Sequence, residues 1–366
     1  MRKNLARAAV FGVVALAALT ACSDRNDDSS AKADDAKGFA KNALIGVALP
    51  DKTSENWVLA GNLFTDGLKT AGFQSDVQYA AATNTVADQQ SQIQAMVTKG
   101  AKVIIIGAKD ASQLNTQVEA AKKAGAIVIA YDRLIKGTKD LDYYVAYDNF
   151  KVGQLQGQAL LDGMKAKKAT GPWTIEVFAG SPDDNNASVF FNGAMDVLKP
   201  KIDAGEVIVG SGQKDFKQAT TDGWKAENAQ RRMDTVTTDT YTTGKTLDGV
   251  LSPNDTLARA IITSVKGAGK AIPVVTGQDS EVESVKSIMA GEQYSTINKD
   301  TRNLVKAVIK MVTDLSTGAT PEVNDTKSYD NGVKIVPSFL LAPVVVTKAN
   351  AAQAYADDPK LSLLTK

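Results

Sequence analysis

Short polar stretches rich in Asp, Asn, Gln and Arg recur directly behind apolar runs in this chain. Asp51 and Trp57 follow Leu44–Leu49, and Asp132 and Arg133 follow Ile127–Ala130. Asp183, Asp184, Asn185 and Asn186 come after Trp173–Phe178, and Asn254 and Asp255 after Gly249–Leu251. Gln278 and Asp279 come after Val274–Thr276, and Lys299 and Asp300 after Tyr294–Ile297. Carboxylates, amides and a guanidinium present planar sets of acceptors and donors, so each can bridge two neighbouring hydroxyls of a polyol. An indole such as Trp57 or Trp224 offers a flat face to the apolar C–H side of a pyranose. The chemistry these residue types suit is sugar recognition. Each also has a plainer reading: Asp and Asn behind strands form turns and helix caps, Asp132–Arg133 suits a structural ion pair, and the tryptophans suit a core.

The apolar pattern supplies the scaffold that would bring these stretches together. Leu44–Leu49 is a continuous apolar run ended by Pro50-Asp51, as expected of a strand buried on both faces of a parallel sheet. A helix over about Asn56–Thr70 closes at Ala71-Gly72, and a strand Val77–Ala80 follows. Thr85–Lys99 reads as a helix with Val86, Ile93, Met96 and Val97 on one face, Thr85 and Asp88 in a capping arrangement and Gly100 as its stop. Val103–Gly107 is a strand, a helix runs through Leu114, Val118, Ala121 and Ala124 to Gly125, and strands Ile127–Ala130 and Tyr143–Ala146 come next. This alternation predicts right-handed βαβ crossovers and a doubly wound parallel sheet. The pattern restarts with a helix over about Lys151–Lys165, a break at Gly171-Pro172, and strands Trp173–Phe178, Val207–Val209, Gly249–Leu251, Pro273–Val275 and Tyr294–Ile297. Two such halves imply two lobes and a cleft, with ligands bound beyond the carboxyl ends of the strands. The run Val333–Leu341, after the polar turn region Asn324–Asn331, is expected to be a further crossing between the lobes.

Composition removes many alternatives. The chain has 366 residues, long for one core and comfortable for two. Lys plus Arg is 42 against 41 Asp plus Glu, a net charge of +1, so no basic field draws nucleic acid. There is no histidine, which excludes a Ser-His-Asp triad, a histidine general base and a histidine-liganded metal. Neither a Walker A run nor Gly-x-Gly-x-x-Gly follows a strand, so no nucleotide cofactor is expected. No metal is expected either: Asp183–Asn192 lacks the Gly and closing Glu of a calcium loop. Asp183 with Asp184, or Asp132 with Asp279, would supply paired carboxylates for glycoside hydrolysis, but no general acid is identifiable and no enzyme is expected.

Cys22 is the single cysteine, so no internal disulfide is possible. Before it stand a basic start (Arg2, Lys3, Arg7), an apolar run Ala8–Ala18 and Leu19-Thr20-Ala21, the layout of a secretory signal. The ending resembles the lipobox of bacterial lipoproteins. That resemblance implies a signal peptide over residues 1–21, cleavage before Cys22, and a lipid on Cys22 that anchors the chain to the membrane outside the cytoplasm. Residues 22–37 then form the lipidated cysteine and a disordered polar spacer. The alternatives are an ordinary signal peptide that contains a cysteine, or a transmembrane anchor, for which the apolar run is short against about 20 residues.

Several longer motifs point to a family. Ala130–Ile135, Ser181–Ala187, Val197–Pro200 and Gly277–Asp279 resemble the bacterial periplasmic xylose-binding proteins, and more closely the multiple-sugar-binding receptors of that group. Gly291–Ile297 and Pro321–Lys327 strengthen the likeness, which runs from about Ile45 to Val346. The resemblance implies an α/β fold of two doubly wound parallel-sheet lobes joined by a three-strand hinge, the type I periplasmic binding protein fold. It implies a first lobe of residues 38–148 plus 300–332 and a second of 149–299 plus 333–366. It also implies an extracytoplasmic, monomeric receptor that closes on a monosaccharide of xylose, glucose, galactose or arabinose type and delivers it to an ABC permease. A sensor presenting the closed form to a membrane signalling partner is the alternative. By similarity the ligand-binding residues are Trp57, Asp132, Arg133, Asn186, Asn254, Asp255, Gln278, Asp279 and Lys299. Xylose-binding relatives often carry Arg before the tryptophan, where this chain has Asn56, so broader sugar tolerance is expected.

Overall fold

β1 (Leu44–Leu49) is buried at five of its six positions, because an all-apolar strand in the middle of a parallel sheet is covered on both faces. In the computed structural model residues 38–81, 86–242 and 244–366 are described. The expected signal peptide, Cys22 and the spacer lie outside the described residues, as does Thr85. After β1, helix α1 (Glu55–Thr70) begins where the Ser54 hydroxyl accepts from the Asn56 N–H. Strand β2 (Gln74–Tyr79), helix α2 (Val86–Thr98), β3 (Val103–Ile106), α3 (Asn115–Lys123), β4 (Ile127–Tyr131) and β5 (Tyr143–Tyr147) follow. The strands pair in parallel in the order β2-β1-β3-β4-β5. Alternation along β3 divides the core in two. Ile104 and Ile106 pack with Met96 and Val118, while Val103 and Ile105 pack with Phe64, Leu68 and Val308. Each such side chain contributes roughly 1.5–3 kcal/mol by leaving water.

Helix α4 (Asn149–Lys167), capped by Asp148, carries the chain into the second lobe. That lobe continues through β6 (Trp173–Val177), α5 (Asn185–Asp203), β7 (Val207–Val209), α6 (Phe216–Ala219), α7 (Ala226–Thr240) and β8 (Gly249–Leu251). It is completed by α8 (Asp255–Gly267), β9 (Val274–Val275), α9 (Val282–Ala290) and β10 (Ser295–Asn298). Its parallel sheet has the order β7-β6-β8-β9. β10 runs beside β9, with the Tyr294 N–H donating to the Val275 carbonyl at 3.0 Å. Helices α4 and α5 cross with their backbones in contact. A Cβ on Gly153 would lie 2.0 Å from the Phe190 carbonyl oxygen, and one on Gly193 2.1 Å from that of Phe150. This close crossing fixes the first turns of α5, which carry Asn186 and Phe190.

Helix α10 (Thr301–Ser316) returns to the first lobe, burying a stripe of Leu304, Val305, Val308, Met311 and Val312 in the core that holds Phe64. The run Val333–Leu341 is not the crossing expected of it. Val333 and Ile335 are exposed, and Ser338–Leu341 forms β11, parallel to β5, as the sixth strand of the first sheet. The chain crosses only after β11, at Ala342-Pro343, and β12 (Val344–Thr347) then pairs antiparallel with β10. The division expected at 332/333 therefore moves to Ala342-Pro343, because the extended backbone of Ser338–Leu341 supplies the partner that the β5 edge lacks. Three links join the lobes: after β5, after β10, and between β11 and β12. A last short helix, α11 (Ala351–Ala354), and Tyr355 and Leu361 behind it pack with Val285 of α9.

Candidate functional site

The loops behind the strands of both lobes converge on a cavity of about 660 Å³. From the first lobe, Trp57 projects from the first turn of α1, and Asp132 and Arg133 follow β4. Tyr131 sets the Trp57 ring edge-on, with centroids 6.0 Å apart at 68°. The Arg133 guanidinium lies over that ring at 5.3 Å, donates to the Ala108 carbonyl at 3.2 Å and pairs with Asp184 of the second lobe at 3.0 Å. Asp132 has φ of 61°, a left-handed conformation. It is held there because its N–H donates to the Val145 carbonyl, while its own carbonyl accepts from Tyr144 Oη at 2.7 Å and Asn186 Nδ2 at 2.8 Å.

The second lobe contributes through the loops after β6, β8, β9 and β10. Asp184 caps α5 by accepting from the Asn186 N–H, and it also accepts from Trp224 Nε1 at 3.2 Å. Burial pushes the Asp184 carboxyl above its usual range, and the Arg133 charge opposes that rise. Gln278 is 2 % exposed, lines the cavity, and its Oε1 has no hydrogen-bond partner. A buried acceptor left unpaired costs about 1–3 kcal/mol. Lys299 Nζ sits 3.0 Å from Asp279 Oδ1 and 5.2 Å from the centre of the Phe190 ring. Burial alone would lower the Lys299 pKa; the carboxylates of Asp279, Asp132 and Asp184 outweigh it and hold the ammonium above the ordinary lysine value.

Backbone strain marks the same place. Among the described residues, the non-glycine positions with positive φ are Asp132, Trp224, Asp279 and Ser280. The first three line the cavity and the fourth follows Asp279. Such conformations cost on the order of 1–3 kcal/mol each and persist where the surroundings enforce them.

Of the residues expected at the site, Trp57, Asp132, Arg133, Asn186, Asn254, Gln278, Asp279 and Lys299 all line this one cavity. Two of the side-chain amides among them are already bonded within the protein. Asn254 Oδ1 caps α8 by accepting from the Leu257 N–H, which leaves its amide hydrogens for a ligand. Asn186 spends one donor on Asp132 across the cleft. Asp255 is different: the structure places it outside the cavity. It is fully buried, and its carboxylate accepts from Gln293 Nε2, Thr296 Oγ1 and the Glu281 N–H. Burial drives its pKa well above the usual carboxylate value, with the neighbouring charges of Glu281 and Asp279 adding to the rise. Asp255 is thus an internal brace beneath the loop that carries Gln278 and Asp279.

Sequence reading gives no role to Lys109 or Phe190, and it considers Asp184 only within a polar stretch and as a carboxylate pair with Asp183. Lys109 pairs with Asp51 in the cavity wall, and the Thr53 N–H and hydroxyl also donate to Asp51. Burial would raise the Asp51 pKa, but Lys109 and Thr53 more than offset that and lower it. Asn56 reaches across the cleft to the Asp279 carbonyl at 3.4 Å. Ser-Pro-Asp-Asp-Asn is a recognisable helix-capping start, but nothing in it announces the pairing with Arg133 and Trp224.

Comparison with known proteins agrees with this geometry. Residues 45–320 match the model of the periplasmic binding protein domain. The multiple sugar-binding periplasmic receptor ChvE of Rhizobium radiobacter is 49% identical over 316 residues, covering 85% of this chain and 88% of the relative. The D-xylose-binding periplasmic protein of Escherichia coli is 34% identical over 312 residues, covering 85% and 88%. An ABC transporter solute binding protein from Clostridium phytofermentans, solved with bound β-D-glucose, superposes with a TM-score of 0.84 at 41% identity, covering 88% of this chain and all of that one. With two doubly wound lobes, three links and a polar cavity between strand ends, the chain belongs to the periplasmic binding protein family, whose members are solute receptors and not enzymes.

Proposed function

We propose that this protein is an extracytoplasmic receptor for aldoses, anchored by a lipid on Cys22, that closes on its sugar and presents it to an ABC importer. The observation that carries the sugar reading is the buried cavity wall. It combines the Asn254 amide, an Asp279–Lys299 pair, an Arg133 fork and the two indoles Trp57 and Trp224. Donors and acceptors in that mixture match hydroxyls, and the ring faces match the C–H side of a pyranose. The sugars named for the relatives, xylose and glucose among them, support the aldose class. Closure would join the polar groups of the two lobes around the ligand and expel water.

The test is titration calorimetry of the ligand-free protein from residue 38 onward with xylose, glucose, galactose, arabinose, fucose and ribose. Saturable binding of at least one aldose supports the reading; folded, ligand-free protein that binds none of them overturns it. Anchoring is tested separately: labelled fatty acid should enter the wild-type chain in cells and not Cys22→Ser. Importer delivery is tested by uptake of the bound sugar in cells with and without the gene.

A further inference from the structure

Asp279 and Lys299, the ion pair in the cavity, are each followed by residues tied to the end of the chain. Behind Asp279, Ser280 Oγ accepts from Tyr355 Oη at 2.7 Å. Behind Lys299, Asp300 accepts from Arg302 Nε at 2.9 Å and from its Nη2 at 2.8 Å. The same guanidinium donates from Nη1 to the Asp357 carbonyl at 3.0 Å and pairs through Nη2 with Asp358 at 3.1 Å. Residues 355–358 thus reach both loops that carry the ion pair.

The segment that makes these bonds is itself held in place. Ala351, Tyr355 and Leu361 are buried against Val285 of α9 and Val346 of β12. The Asp358 N–H donates to the Tyr355 carbonyl, and the Asp358 carboxylate accepts from the N–H groups of Lys360 and Leu361. A phenylalanine would fill the Tyr355 site equally well, so packing does not call for the hydroxyl. That hydroxyl is spent on Ser280, and among the described residues it is the partner of the Ser280 side chain. The turn it meets needs holding. Asp279 has φ of 95° and Ser280 has φ of 54°, two successive non-glycine residues in the left-handed region, which persist only where the surroundings enforce them. The Asp279 N–H donates to the Ile297 carbonyl at 2.9 Å and the Ser280 N–H to Thr296 Oγ1 at 3.2 Å, which fixes the backbone. Tyr355 adds the bond that fixes the side chain next to Asp279.

Resting on the sugar reading of the cavity, we infer that Tyr355 is a positioning residue for aldose binding: through Ser280 it sets the Asp279 carboxylate against Lys299 and the sugar. Arg302 joins the same C-terminal segment to the loop that bears Lys299, so both members of the pair are referenced to one packed element. Such support matters because a binding group displaced by more than about 0.5 Å loses its productive geometry.

The experiment is calorimetry with D-xylose, D-glucose, D-galactose and L-arabinose on the wild type, Tyr355→Phe, Ser280→Ala and the double variant, at a temperature where all four proteins are folded. Tyr355→Phe should weaken binding of whichever of these sugars the wild type takes by about fivefold, the effect of one lost hydrogen bond. Ser280→Ala breaks the same bond and should weaken it similarly, and the double variant should bind no more weakly than the weaker single one. Unchanged affinity in Tyr355→Phe, even with a lowered unfolding temperature, makes the bond purely structural and overturns the inference. Losses that multiply in the double variant also overturn it, because Tyr355 then does not act through Ser280. Both of those results leave the aldose reading standing. Folded, ligand-free wild type that binds none of the four sugars overturns the receptor reading and this inference with it.

Discussion

Replacing Lys299 by Met removes one charge from the centre of the cavity and keeps most of the side-chain volume. Lys299 and Asp279 are 3.0 Å apart, with side chains 10% and 16% exposed. At that distance and an effective dielectric of about 20, their attraction is on the order of 5 kcal/mol, most of it offset by the cost of taking both ions out of water. Removing one partner reverses the balance, because Asp279 then stays buried without compensation; such changes cost about 3–5 kcal/mol. The upper half of that range applies here. Asp132 and Asp184 also lean on Lys299, and Arg133 alone would be left to balance three carboxylates. Lys299→Met should thus lose about 4 kcal/mol of unfolding free energy in urea titrations. It should also weaken aldose binding by about 10- to 100-fold through the loss of a charged donor. The double variant Lys299→Met/Asp279→Asn should recover at least about 1.5 kcal/mol of stability, since no orphaned charge remains, without recovering affinity. Strictly additive stability losses would refute the account, because they would mean that the two groups do not interact.

Three further outcomes follow from the same geometry. Asp255→Ala strips the acceptor from Gln293, Thr296 and the Glu281 N–H, so it should destabilise by about 3 kcal/mol or more in thermal or urea unfolding. Its aldose affinity at a temperature where it is folded should stay within about fivefold, and a large affinity loss with full stability would return Asp255 to the binding surface. Arg133→Lys keeps a charge but cannot reproduce the guanidinium plane that meets Asp184, Ala108 and the Trp57 ring together, so calorimetry should show about a tenfold or greater loss. For pH, the folded pKa of Lys299 lies above the ordinary value of 10.5. Its stabilising contribution is therefore fully present below 10.5 and is lost only as pH rises through the raised value, so aldose affinity should be flat through neutral and mildly alkaline solution.

The parts of the fold visible in sequence are those with one dominant physical signal. β1, β3 and β4 are continuous apolar runs because both their faces are covered, and their positions follow from that alone. β2 reads Gln-Ser-Asp-Val-Gln-Tyr, an edge strand with polar residues on it, and only its second half is apolar enough to notice. β11 looks like a link because Val333 and Ile335 continue its apolar run while remaining exposed, and only its pairing with β5 shows where the lobe ends. At the site, the strand-end rule finds the loops but not the direction of each side chain within them. Asn254 and Asp255 are neighbours at the start of α8, where one residue turns the side chain by about 100°, enough to separate cavity from core. The Asp51–Lys109 pair spans 58 residues and has no local signature.

The strained backbone supplies a different kind of test, because it separates what the fold needs from what the site needs. Glycine adopts the φ of 61° seen at Asp132 without a Cβ penalty, so for stability alone Asp132→Gly should be neutral or better, by up to about 1 kcal/mol. The backbone bonds that fix this loop come from the Asp132 N–H and carbonyl, which glycine retains. The carboxylate is all that is removed, and it faces a cavity whose ammonium and guanidinium groups lie on Lys299 and Arg133. If that carboxylate serves a ligand, Asp132→Gly should unfold at the same or a higher urea concentration than wild type while losing about tenfold or more in aldose affinity. Asp132→Asn tolerates the same backbone and keeps one acceptor, so it should fall between the two. Loss of several kcal/mol of stability in the glycine variant would instead make Asp132 a structural ion for Lys299 and Arg133. The left-handed turn would then reflect how the lobes are held together, with no role in gripping a sugar.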